Sequence, residues 1–139
     1  MTEQVRMEGL TLTVEDVARS VDYYCNQLGL FTLEWNAAPQ FAMLRIAGGS
    51  VTLGLLSWAQ AESDGAVRMS RSQASAVHVE LSTDDLDGLY SRLTAKGVVI
   101  DVPPHEEPWE RSMTAFDPDG YSVEFAQGRR GKKDSADRE

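Results

Sequence analysis

The chain has 139 residues, 42% hydrophobic and 25% charged, which fits one compact domain with an ordinary core and excludes a disordered chain or a multidomain enzyme. Thirteen Lys and Arg against 22 Asp and Glu give a formal net charge of −9, and because residues 128–139 hold five bases and three acids, the rest carries 8 bases and 19 acids, or −11; such a body repels polyphosphates and attracts cations, so nucleic acid is excluded as a partner. A single cysteine, Cys25, rules out an intramolecular disulfide or zinc knuckle. With no apolar leader and no run near the roughly 18 apolar residues of a membrane span, the expectation is a soluble cytoplasmic protein with no membrane partner.

In chain order, Leu10, Leu12 and Val14 alternate with Gly9, Thr11 and Thr13, the period of a strand with one buried face. Val17, Val21, Tyr24 and Leu28 then fall at helical spacing after Asp16, with Gly29 as the stop. Strands follow at Phe31 to Trp35, Phe41 to Ile46 and Val51 to Leu56, separated by turns at Asn36 to Pro39 and Ala47 to Ser50. Residues 57–75 lose the pattern and read as a linker or flap. The programme then restarts. Val77, Val79 and Leu81 alternate as a strand, Leu86, Leu89, Tyr90 and Leu93 repeat as a helix up to Gly97, and strands are expected near Val98 to Val102, Arg111 to Phe116 and Tyr121 to Ala126. The last two are joined by the tight turn Asp117-Pro118-Asp119-Gly120. The tail, with Arg129, Arg130, Lys132 and Lys133, is expected to be disordered.

A shift of 69 residues lays Leu10 on Val79, Leu12 on Leu81, Asp16 on Asp85 and Val17 on Leu86, and one gap brings Gly29 onto Gly97. Chance rarely matches strand parity, helix onset and helix stop together, so the chain is a duplication of a unit of about 70 residues. The expected fold class is α+β: two tandem βαβββ modules forming a curved mixed sheet, with helices on the outer face and a trough on the other. Module one covers about 7–57, the linker 58–75 and module two about 76–127, a single domain over 1–127, with 128–139 as the charged tail.

The run Gly-Leu-Thr-Leu-Thr-Val-Glu-Asp-Val-Ala-Arg-Ser (9–20), Tyr23-Tyr24 with Leu28-Gly29-Leu30, His-Val-Glu-Leu (78–81) and Asp-Pro-Asp-Gly-Tyr-Ser-Val-Glu-Phe (117–125) resemble the vicinal oxygen chelate superfamily. That group includes glyoxalase I, extradiol dioxygenases, fosfomycin-inactivating enzymes and bleomycin-type resistance proteins. The resemblance spans residues 7–127 and implies paired βαβββ modules, a homodimer and a ligand site inside the curved sheet. It also implies a metal site drawn from the first and last strand of each module. Module two matches with His78 and Glu124, and parity independently sends both side chains away from the face of Val79, Leu81, Val123 and Phe125. Module one has Gly9 and Gly54 at these positions, which offer no donor. Two protein ligands are too few for zinc, nickel, iron or manganese, since even catalytic zinc keeps three. Glu80 shares the parity of His78, Glu8 neighbours Gly9 but points outward, and His105 lies in the loop 103–110, from which it reaches the site only by folding over. No cofactor is expected. His78 and Glu124 instead pair with each other, as candidate catalytic or proton-handling groups.

Ligand-binding candidates are Gly9, Thr11, Trp35, Gly54, Trp58, His78, Glu80, Trp109 and Glu124. The glycines widen the trough for a flat molecule, the tryptophans stand at element ends suited to stacking planar or cationic guests, and Glu106, Glu107 and Glu110 form a solvated acidic loop. Cys25 reads as a structural thiol. The leading expectation is a non-catalytic small-molecule binding protein resembling the bleomycin-type resistance branch, an antibiotic-sequestering function in which both modules contribute to the site. The alternative is a metal-dependent lyase, isomerase or dioxygenase that completes His78 and Glu124 with Glu80, water or substrate.

Overall fold

The computed structural model describes residues 2–128. The basic tail beyond Gly128 lies outside them. Two four-stranded mixed sheets account for the strands, one in each of two units that divide after Arg68. In the first, β1 (Gly9–Val14), β2 (Phe31–Ala37), β3 (Phe41–Ile46) and β4 (Thr52–Ser57) take the order β1-β4-β3-β2; only the β1–β4 pair is parallel. In the second, β5 (His78–Ser82), β6 (Val102–Glu106), β7 (Arg111–Phe116) and β8 (Ser122–Gln127) repeat the scheme as β5-β8-β7-β6. This is the tandem βαβββ architecture that the 69-residue repeat predicts.

The repeated sequence signals become repeated physical devices. Asp16 caps α1 (Val17–Asp22) by accepting from the Arg19 N–H at 3.1 Å, and Asp85 caps α4 (Leu86–Ala95) by accepting from the Gly88 N–H at 2.9 Å. Gly29 and Gly97 both end their helical segments with positive φ, 68° and 91°. The one-residue gap between the repeats also has a structural form. The first helix ends in a π-turn over Tyr23–Gln27, in which the Leu28 N–H donates to the Tyr23 carbonyl at 2.8 Å. Such a turn takes up one extra residue. Along this helical segment Ser20 and Tyr23 are buried and Val21 is half-buried.

Each sheet buries its alternate residues under its helix. Leu12, Val14, Ala42, Leu44, Leu53 and Leu55 are buried along with Val17, Tyr24 and Leu28 in module one, and Val79, Met113, Ala115, Val123 and Phe125 along with Leu86, Leu89 and Leu93 in module two. At about 25 cal/mol per Å² of apolar surface, these burials are the main stabilising contribution.

Two expected segments differ. Residues 57–75 contain two short helices, α2 (Trp58–Ser63) and α3 (Arg71–Ala74), capped by Ser57 and by a Ser70–Gln73 capping box. The patterns Ser57-Trp58-Ala59-Gln60 and Ser70-Arg71-Ser72-Gln73 carry that signal in the sequence. The strand expected at Val98 to Val102 instead begins at Val102 and includes Pro103, Pro104 and His105. Prolines fit there because β6 is an edge strand, where a missing N–H costs no ladder bond, and its register shifts between Val102 and His105. Among the described residues no helix is long and apolar enough to cross a membrane.

Candidate functional site

In module two, β5 lies parallel to β8 with His78 opposite Ser122 and Glu80 opposite Glu124. The apolar alternates Val79, Val123 and Phe125 occupy the core face, so His78, Glu80 and Glu124 share the other one. Nδ1 of His78 stands 3.5 Å from Oε2 of Glu124, the pairing expected from parity. Glu110 joins them. It is only 6% exposed and hydrogen-bonds to the Glu124 carboxyl. Burial first, then that hydrogen bond and the charges of Glu110 and Glu80, push the Glu124 carboxyl above its ordinary range, against the opposing pull of His78.

The loop that was expected to be solvated and acidic is a hairpin whose acids are engaged. Glu107-Pro108-Trp109-Glu110 forms the turn, with the Glu107 N–H donating to the Glu110 carbonyl at 2.7 Å. Glu106 pairs with Arg111 at 3.2 Å and Glu107 with His105 at 2.9 Å. His105 does not fold over from a loop; it belongs to β6, opposite Ser112. Its Nδ1 faces the Pro103 carbonyl and its Nε2 the Glu107 carboxylate, both at 2.9 Å. Two acceptors on one ring favour the doubly protonated imidazolium, and the Pro103 carbonyl, followed by Glu107, raises its pKa. The four-residue turn was the sequence signal that would have placed Glu110 beside the sheet.

In module one, Gly54 stands opposite Thr11 on β1 and Met43 on β3. A Cβ at Gly54 would lie 2.6 Å from Oγ1 of Thr11 and 3.2 Å from Cε1 of Phe41, so the space beside this glycine is filled, not open. A Cβ at Gly9 would overlap the Thr52 carbonyl. The expected widening by glycine is therefore corrected: glycine here admits the chain's own atoms. Phe41 meets Trp35 edge to face, centroids 5.7 Å apart, and Trp35 remains 57% exposed.

The tryptophans divide. Trp109 is 54% exposed at its turn, but Trp58 is 8% exposed within α2, with the Arg68 guanidinium 5.3 Å from its ring centroid. Arg68 is itself tied to Glu15 and Glu62. Trp58, expected to stack on a ligand, is thus packed within its own module, with its ring covered by Arg68. Glu8 is exposed beside Arg6 and contributes its carbonyl to Thr52, so it does not replace the donor missing at Gly9. Cys25 is half-buried, and burial, then the Asp22 charge, pushes its thiol pKa up, away from nucleophilic use.

Among the described residues, no three His, Cys, Asp or Glu side chains gather as ligands for a metal ion. Gly9 and Gly54 cannot donate, and the Glu124 carboxyl is engaged by Glu110 and His78. The donors present do not fit the four-ligand arrangement.

A family model described as the Glyoxalase/Bleomycin resistance protein/Dioxygenase superfamily matches residues 6–125. Among solved structures, a glyoxalase/bleomycin resistance protein/dioxygenase from Nocardioides is 26% identical with a TM-score of 0.76, covering 94% of this chain and 88% of its own. A superfamily member from Sphaerobacter thermophilus is 25% identical with a TM-score of 0.69, covering 89% and 98%. An antibiotic binding protein from Streptomyces is 22% identical with a TM-score of 0.69, covering 92% and 99%. No curated protein matches the chain.

Proposed function

The chain belongs to the glyoxalase/bleomycin resistance protein/dioxygenase superfamily, and on that premise we propose that it is a small-molecule binding protein that sequesters a planar or cationic compound without a catalytic metal. The observation that carries this reading is the exposed indole of Trp35, held edge to face by Phe41 on the strand face that also bears Thr11 and Gly54. An aromatic surface of this kind offers stacking area at little conformational cost. Within module two, taken by itself, Glu80 and Glu124 beside His78 form a polar face that suits a cation or a hydrogen-bond donor. The similar Streptomyces protein is an antibiotic binding protein, which is compatible with this reading.

The test is quenching of tryptophan fluorescence by proflavine, a planar cation, and by glycopeptide drugs, on the wild-type chain and on Trp35→Ala. Quenching that Trp35→Ala removes and that salt weakens supports sequestration. Absence of binding across the panel, together with about one metal ion per chain that His78→Ala and Glu124→Ala each remove, would replace it with a metal-dependent enzyme.

A further inference from the structure

A strand of strict period two places Leu33 and Trp35 on one face. In β2 they lie on opposite faces. Leu33 pairs with Leu44, whose side chain is fully buried, whereas Trp35 pairs with Met43, on the face of Phe41. Two residues advance on β2 for one on β3, and the extra residue is Glu34. This is a β-bulge, a device that re-aims the side chains beyond it.

The extra residue is gripped. Nε of Arg45 donates to Oε1 of Glu34 at 2.6 Å and Nη2 to Oε2 at 3.2 Å, a two-point contact that fixes both distance and orientation. Arg45 is anchored on β3 by its register with Thr32, whose hydroxyl donates to the Arg45 carbonyl at 3.1 Å. Its Nη1 also donates to the Gly49 carbonyl in the β3–β4 turn at 3.4 Å. Hydrogen bonding to Arg45 holds the Glu34 carboxyl below its ordinary range, so the pair is charged at neutral pH. Were β2 to run without the bulge beyond Leu33, Glu34 would stand opposite Met43 and Trp35 opposite Ala42, turning the indole toward the buried face.

We propose that Glu34 and Arg45 are positioning residues: their two-point contact locks the bulge in β2 and thereby aims the Trp35 ring at a planar ligand. This rests on the binding role given to Trp35 above. The bulge explains why a sequence reading with period two gives no reliable face for Trp35. It also makes the pair, and not only the indole, a determinant of specificity.

The test uses the full chain labelled with 5-fluorotryptophan, which gives one fluorine resonance per tryptophan, assigned with Trp35→Phe, Trp58→Phe and Trp109→Phe. Arg45→Met is expected to shift or broaden the Trp35 resonance alone and to weaken proflavine binding by up to about tenfold, the loss of one aromatic contact. The charge exchange Glu34→Arg with Arg45→Glu should restore both. Deleting Glu34 in the Arg45→Met background should restore them too, because an uninterrupted strand then places Trp35 opposite Met43 with no grip required. An unchanged Trp35 resonance in Arg45→Met overturns the proposal. So does collapse of all three resonances that the deletion does not rescue, since the pair would then be merely structural. If wild-type protein binds no proflavine, the binding reading fails, while the ligand-free Trp35 resonance still decides the positioning role.

Discussion

The carboxyl groups of Glu110 and Glu124 meet within hydrogen-bonding reach, and after burial this contact is the largest cause of the raised Glu124 pKa. Glu110 comes from the end of a turn and Glu124 from the middle of β8, so folding creates this contact. The raised Glu124 pKa means that the folded chain binds a proton more tightly than the unfolded one. Its stabilising contribution is present below the ordinary value of 4.5 and is lost as pH rises through the folded value.

Replacing Glu110 with Gln removes a negative charge and sets an amide hydrogen-bond donor beside the Glu124 carboxyl. The expected result is a lower Glu124 pKa and a gain in stability at neutral pH relative to wild type. Urea midpoints measured from acid to neutral pH check this. Equal midpoints at neutral pH would show that Glu110 does not load Glu124.

His105 has the same sign in a different range. Its pKa is raised above 6.5, so its contribution is complete below that value and declines as pH rises through the folded one. A proton NMR titration should place the His105 midpoint above 6.5. The His105→Gln variant should have a flatter stability profile than wild type on the alkaline side of neutrality. A midpoint at or below the ordinary value would contradict the two-acceptor geometry.

Restoring the donors that the family positions lack should damage the sheet. Gly9→His meets the Thr52 carbonyl and Gly54→Glu meets Thr11 and Phe41, so each is expected to cost about 1–3 kcal/mol in chemical denaturation, as overpacked sites do. Neither should confer stoichiometric nickel or zinc by elemental analysis. A variant as stable as wild type and loaded with one metal per chain would refute the account of these glycines.

The two aspartate caps should be equivalent. Asp16→Ala and Asp85→Ala each remove one side-chain acceptor from a helix start and should each lower stability by about 1 kcal/mol. Because they share no partner, the double variant should lose the sum. Unequal losses would show that the π-turn has uncoupled α1 from its cap.

Much of the fold was legible because its signals are local. A cap, a helix stop and a pleat each involve residues within one turn or one strand, so Asp16 and Asp85, Gly29 and Gly97, and the shared face of His78 and Glu124 could be read without a partner in view. Even the π-turn left a trace, as the single gap between the repeats. The strand that takes in Pro103 and Pro104 was misplaced because proline argues against a central strand, and only the sheet order shows that β6 is an edge. The two linker helices were missed although their capping patterns were present.

The amino-acid order alone determined the duplicated βαβββ plan, the aspartate-capped helices and the face of its strand on which each of His78 and Glu124 stands, since alternation and spacing are properties of a single segment. Tertiary structure alone decided which way Trp35 faces, that Trp58 is buried, that Glu110 lies against Glu124 and that the glycine gaps are filled. Each of these depends on atoms from another strand or turn, and a bulge of one residue reverses every side chain beyond it without altering the pattern from which it would have to be read.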